Sequence, residues 1–221
     1  MKTDVVTVCG VDNHTFDCVI ESPEHEPVGA IVVLQEIFGV TQQLKNIAKT
    51  YAELGYIVAI PALFDRQGKD LVIPFAEGSK AKALMEAANL DHAMADIEST
   101  VSVMRENSDT VAVMGFCWGG GLALRCAQKL DISGSIIFYG TRMTNYLDGP
   151  LKSPVLGHFG SDDAHVPSSD LVEVQRYFPD MQMHTYKAGH AFANDSREQY
   201  VATAATLAHQ RNEAFLRTIL S

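Results

Sequence analysis

The residues with the clearest chemical potential stand together at Gly115-Phe116-Cys117-Trp118-Gly119-Gly120. An apolar run at 111–114 leads into them, and an alanine- and leucine-rich stretch at 121–127 leads out. That order predicts strand, sharp turn and helix, with a thiol at the apex. The pattern is G-x-S-x-G with cysteine in place of serine, a turn that lifts a nucleophile above the top of a sheet in a strained backbone conformation. Glycine is needed two residues before and two after, where a side chain would strike the neighbouring strand and helix. A thiol so placed attacks as its thiolate, which a helix N-terminus and a nearby histidine favour. Cys9, Cys18 and Cys126 have no such context and read as small hydrophobes.

A nucleophile of this kind needs a base held near it with one nitrogen free. His190 follows Gly189 in a predicted loop between a strand and the last helix. His158, at a strand end, and His165, two residues before Pro167, compete with it. Loop position and the order nucleophile, acid, base along chains with this turn favour His190. The acid then lies between them. Asp162 and Asp163 both follow a predicted strand directly, and either could orient the histidine and stabilise its cation. Glu36 ends a predicted buried strand, where carboxylates are seldom left without a partner. It reads as a charge tuning the thiol, with an ion pair to Arg66 as the structural alternative. The N–H groups of Ile37 and Trp118 are placed for an oxyanion hole, which takes one donor after the nucleophile and one after an early strand. Arg66 lies in a long loop and could grip a carboxylate through two parallel hydrogen bonds.

The elements that must position these groups alternate along the chain. Residues 4–9 and 15–20 predict an antiparallel hairpin at the sheet edge. The unbroken apolar run at 30–35 suits a strand buried on both faces. Thr41 is the expected N-cap of a helix reaching 54, closed by Gly55. Strand 56–60 follows, then an irregular loop from 62 to 78 of a length that is often functional. Ser79 is expected to open a helical region to about 106, broken near Asn89. Strands follow at 132–139, 154–159 and 181–186, with a helix from 168 or 169 to 177 and a last helix over 196–220. In that helix Ala204, Leu207, Ala208, Phe215 and Ile219 fall on one stripe. The fold class expected is α/β: one domain over 1–221, a doubly wound, mostly parallel sheet of about 7–8 strands with helices on both faces. Sites in such sheets form at the carboxyl ends of strands.

Composition narrows the partners. The 221 residues carry a formal charge of −10, which argues against nucleic acid and anionic membrane surfaces. An anionic substrate would need a local cation. No apolar run is long enough to span a membrane. Met1-Lys2-Thr3-Asp4 has no signal-peptide character, so a cytoplasmic location is expected. The four cysteines lack close-paired metal spacing and are expected as free thiols.

Together these residues resemble the dienelactone hydrolase family, whose fold is the α/β-hydrolase fold, over nearly the whole chain. The resemblance rests on Gln35-Glu36-Ile37-Phe38-Gly39, on Gly115-Phe116-Cys117-Trp118-Gly119-Gly120, on Phe159-Gly160-x-x-Asp163-x-x-Val166-Pro167 and on Ala188-Gly189-His190-x-Phe192. It implies a Cys117–Asp163–His190 triad and a Glu36 that contacts the thiol. It implies hydrolysis of a carboxylate-bearing lactone, such as dienelactone to maleylacetate, with no metal and no organic cofactor. Family arginines that hold the substrate carboxylate match Arg66 and the position of Asn194, whose amide brings no charge. Tyr139 resembles a family pocket residue, and Trp118, Phe38 and Phe192 are expected on the apolar wall. The expected partner is a small ester or lactone, acted on by a monomer or weak homodimer. A broader carboxylesterase or thioesterase is the nearest alternative, and a non-catalytic binding or redox-sensing protein the more distant one.

Overall fold

A computed structural model describes residues 1–220. One sheet holds β1 (Lys2–Cys9), β2 (Thr15–Ser22), β3 (Ala30–Leu34), β4 (Ile57–Pro61), β5 (Val111–Phe116), β6 (Gly134–Phe138), β7 (Val155–Gly160) and β8 (Gln182–Tyr186). Their spatial order is β1-β2-β4-β3-β5-β6-β7-β8. β1 runs antiparallel to β2, and β2 to β4; every pair from β4 through β8 is parallel. The helices are α1 (Gln42–Glu53), α2 (Gly78–Ala87), α3 (Leu90–Met104), α4 (Trp118–Lys129), α5 (Ser168–Tyr177) and α6 (Ala202–Ile219). None of them is long and apolar enough to cross a membrane.

Burial on both faces explains why the central strands show no alternation. In β3, Val32 and Leu34 pack into one apolar cluster with Ile97 and Val101 of α3 and Leu122 of α4. Ile31 and Val33 enter the opposite cluster with Leu44 and Ala48 of α1 and Leu216 of α6. The helices are therefore split between two faces, as the doubly wound reading requires.

Local signals set most boundaries. Thr41 caps α1, its Oγ1 accepting the Leu44 N–H at 3.4 Å, and Gly55 leaves the helix at φ +97°. Asn89 breaks the helical region as expected and caps α3, accepting the His92 N–H at 3.0 Å. Ser79 does not open α2. A 3-10 turn at Phe75–Glu77 runs straight into Gly78, so Ser79 is already helical. The last helix begins at Ala202 rather than 196. Asn194 Oδ1 accepts the Ser196 N–H at 3.1 Å and the Val201 N–H reaches Phe192 O at 2.9 Å, which closes this stretch as turns. On α6, Ala204, Ala208 and Phe215 are buried, whereas Leu207 is 42% exposed.

Two glycines hold the turn around Cys117 shut. A Cβ on Gly115 would stand 1.9 Å from Gly119 O, and one on Gly119 would stand 2.6 Å from both Leu34 O and Gln35 O. These neighbours are backbone and cannot rotate away. Gly119→Ala is therefore expected to lower stability by about 3 kcal/mol or more, at or above the upper end of ordinary overpacking, read as a fall in the thermal midpoint.

A buried polar chain ties α1 and α6 to β7 and β8. Asn212 Oδ1 pairs with His158 Nε2 at 2.7 Å, and Asn212 Nδ2 donates to Tyr51 Oη at 2.9 Å. His158 Nδ1 accepts the Tyr186 hydroxyl at 2.7 Å, while Tyr51 donates to His209 Nδ1 at 2.9 Å. Each histidine thus accepts at Nδ1, and His158 donates from Nε2 to Asn212. Burial pushes His158 down to about 3 and His209 down to about 4. The unfolded chain binds their protons near 6.5, so between those values it holds more protons than the fold. Stability rises with pH through that window and is lost as pH falls below 6.5, by about 1.4 kcal/mol per pH unit for each histidine. Urea unfolding at pH 7 and pH 5 is expected to show this loss, and His209→Gln to reduce its slope.

Candidate active site

The turn after β5 places Cys117 at φ 53° and ψ −113°, a backbone conformation that a non-glycine residue keeps only when its surroundings impose it. Those surroundings are explicit. The Cys117 N–H donates to Phe138 O at 3.0 Å, and Cys117 O accepts from Gly120 and Thr141 N–H at 3.0 Å each. α4 begins at the next residue, so its N-terminal dipole points at the thiol.

His190 and Asp163 come from the loops after β8 and β7. His190 Nδ1 lies 2.7 Å from Asp163 Oδ2. Asp163 Oδ1 accepts the N–H of His165 at 2.7 Å and of Val166 at 3.2 Å. Burial opposes charge on Asp163, but the His190 contact and these two N–H groups hold its carboxyl below the usual range. Asp162 faces solvent instead and pairs with Lys187 at 2.8 Å. Burial also opposes charge on His190. The Asp163 bond and the pull of the Cys117 thiol outweigh that and push it up to about 10. The imidazole ring thus links thiol and carboxylate.

Glu36 is buried beside this row. Tyr139 Oη donates to its Oε1 at 3.0 Å and Asn194 Nδ2 to its Oε2 at 3.2 Å. Burial raises Glu36 above the ordinary carboxylate range, opposed by the charge of His190 and the Tyr139 bond. Tyr139 and Asn194 were expected to face substrate. Their polar ends are engaged by Glu36, because a carboxylate sealed from water must be satisfied by protein donors. Phe192 was expected on the pocket wall and instead lies fully buried against Tyr139 and Phe138. The Trp118 ring stacks on Phe64 at 5.5 Å, on the α4 side of the sheet.

Arg66 is also displaced from its expected place. It forms a fork on Asp96, with Nε to Oδ2 at 2.9 Å and Nη2 to Oδ1 at 2.7 Å, and a third contact to Asp12 at 2.8 Å. Asp96 is 1% exposed and claims the guanidinium. The ion pair between Glu36 and Arg66 does not form; each has other partners.

A cavity of about 710 Å³ opens over the thiol. Cys117, Glu36 and His190 line its floor; Ile37, Phe38, Phe75 and Met85 form an apolar wall. His165, Arg142, Lys82 and Arg197 complete its rim. The guanidinium of Arg197 lies 5.3 Å from the Phe38 ring centre and 5.1 Å from that of Phe75, within cation–π range. Among the described residues its guanidinium has neither a hydrogen bond nor an ion pair. Phe75, Met85, Arg142 and the cavity position of His165 carried no local signal in the sequence. Each reaches the site through the path of a loop or through α2. No cluster of three metal-ligating side chains occurs among the described residues.

A parallel sheet with an antiparallel edge, a thiol on a sharp strand-to-helix turn and a histidine–carboxylate pair at adjacent strand ends define an α/β-hydrolase. The chain belongs to the dienelactone hydrolase family, whose model matches residues 16–220. It is 31% identical to a carboxymethylenebutenolidase of Pseudomonas putida over 100% of this chain and 99% of that protein. Its fold is similar to that of a dienelactone hydrolase-like promiscuous phosphotriesterase from metagenomic libraries, with TM-score 0.80, 21% identity and 99% of both chains covered. It is also similar to an esterase of Pyrococcus furiosus, with TM-score 0.75 and 12% identity over 100% of this chain and 92% of that one.

Proposed function

We propose that this protein hydrolyses a carboxylate-bearing lactone or activated ester through an acyl-thioester on Cys117. The observation that carries the reading is the Cys117 turn facing a His190 whose other nitrogen is 2.7 Å from Asp163. The full-length similarity to a carboxymethylenebutenolidase supports the reaction type.

In this reading His190 takes the thiol proton and Asp163 stabilises the resulting imidazolium. The thiolate adds to the carbonyl, and the N–H groups of Ile37 and Trp118 hold the oxyanion. Trp118 heads α4, where N–H groups have no intrahelical acceptor. The leaving oxygen takes the proton back from His190, and water then cleaves the thioester. Glu36 stands as a second proton acceptor beside this row, steadied by Tyr139 and Asn194. Enol lactones suit a thiolate because their leaving groups depart readily.

Arg197 is the cation we assign to the substrate carboxylate. It stands free on the apolar wall, whereas Arg66 is committed to Asp96. Arg142 lines the same cavity, as does Lys82, whose charge is shared with Glu86 at 3.7 Å. Arg197 and Arg142 are therefore its two cations without an ion-pair partner among the described residues, in a protein of net charge −10. The test compares a carboxylate-bearing enol lactone with a neutral aryl ester. Arg197→Met is expected to raise KM for the lactone roughly tenfold or more, the loss of one charged hydrogen-bonding contact, and to leave the neutral ester unchanged. A wild-type preference for the neutral ester would favour a broader carboxylesterase.

A further inference from the structure

One histidine at the cavity has no part in the chemistry described so far. His165 follows Asp163 by two residues, and its backbone N–H donates to Asp163 Oδ1 at 2.7 Å. Its ring centre lies 4.6 Å from that of His190, the planes inclined at 58°. It lines the same cavity as Cys117. The residue is exposed at the cavity, and among the described residues neither of its ring nitrogens has a protein hydrogen-bond partner. By contrast His190 Nδ1 is held by Asp163 at 2.7 Å, and the Cys117 thiol acts on the same ring.

We propose that His165 holds the water that cleaves the Cys117 acyl-thioester. The inference rests on the acyl-thioester reading above. Acylation removes the thiol from His190 and leaves its other nitrogen to act as base. A single nitrogen can draw a proton from water but cannot also fix the direction of its lone pair. A second acceptor beside the base supplies that orientation and removes much of the entropic cost of placing a mobile water. His165 is an acceptor with no protein partner whose ring centre stands 4.6 Å from that of the base, in the cavity that holds Cys117. Water oxygen bonds to the thioester carbon, and its proton passes to His190. The tetrahedral intermediate then expels the Cys117 thiolate as the C–S bond breaks, releasing the carboxylic acid product. The thiolate and the protonated His190 re-form the starting pair.

The groups around His165 keep it suited to accept. Asp163 lies in its own loop, His190 in the loop after β8, Arg197 in the turn segment before α6 and Lys82 on α2. Burial first, then the charge of His190, hold the His165 ring below the usual histidine range, while Asp163 pulls the other way. That direction favours the neutral ring, which keeps a lone pair.

The role separates acylation from deacylation, so kinetics can isolate it. His165→Phe keeps a ring against His190 and removes both nitrogens; His165→Gln restores a polar group of similar reach. With p-nitrophenyl acetate as probe, His165→Phe is expected to lower kcat and KM together by about tenfold or more, leaving kcat/KM nearly unchanged. A nitrophenolate burst and an acetylated protein in the mass spectrum should accompany it, and His165→Gln should recover most of the rate. His165→Ala gives the same readout if the larger ring disturbs the loop. A parallel fall in kcat/KM, an unchanged kcat, or a His165→Gln as slow as His165→Phe would overturn the proposal. Cys117→Ala is run beside them. Turnover undiminished there would instead overturn the acyl-thioester itself, and the His165 role with it.

Discussion

Replacing Cys117 by alanine is expected to lower kcat for every ester the protein turns over by about four orders of magnitude or more, the scale seen when a nucleophile is removed from a working triad. The fold should survive the change. Cys117 holds its turn through main-chain bonds to Phe138, Gly120 and Thr141, which alanine retains. What disappears is the group that links His190 to the substrate carbonyl. The Asp163 carboxylate would remain on His190 at 2.7 Å, so the pair stays intact but has no nucleophile to serve. His190 should also titrate lower in Cys117→Ala, because part of what holds it near 10 is the bond and charge of the thiol. An NMR titration of the His190 ring checks that shift independently of activity. Unchanged turnover with unchanged His190 titration would remove Cys117 from the mechanism.

Arg66→Met is expected to destabilise the protein by about 3–5 kcal/mol, the scale of leaving a buried charge without its partner. Asp96 is 1% exposed and takes two hydrogen bonds from Arg66. The pair joins α3 to the loop after β4, and Asp12 adds the β1–β2 turn. Asp96→Leu combined with Arg66→Met should recover much of the loss, since a matched apolar pair removes the stranded carboxylate. At temperatures where the variant stays folded, KM for a carboxylate-bearing lactone should be unchanged. Denaturant unfolding and steady-state kinetics on the same samples separate the two effects. A stable Arg66→Met with a raised KM would return Arg66 to the substrate.

Those two sites mark how far the sequence could be read. The sheet was legible because its causes are local. Unbroken apolar runs such as 30–34 announce strands buried on two faces, and Thr41, Gly55 and Asn89 punctuate helices through bonds to near neighbours. Gly115 and Gly119 marked the Cys117 turn because their spacing reflects close backbone contact. Side chains with distant partners were another matter. Arg66 meets Asp96 thirty residues on, and Asn194 meets Glu36 at a separation of 158. No local pattern records either contact. For both residues, similarity of position suggested contact with substrate, while burial of a carboxylate decided their geometry. The start of α6 was misjudged for a related reason. Asn194 and Phe192 bind residues ahead of them and hold 191–201 in turns despite a helical-looking composition.

The central claim is a covalent bond between Cys117 and the acyl half of the substrate. It is tested most directly by acid-quenching the protein during turnover of an activated ester and mapping the adduct by peptide mass spectrometry. The account predicts the acyl group on the peptide bearing Cys117, more of it in His165→Phe, and none in Cys117→Ala. Hydrolysis that proceeds in both the wild type and His165→Phe with no acyl group on Cys117 would contradict it.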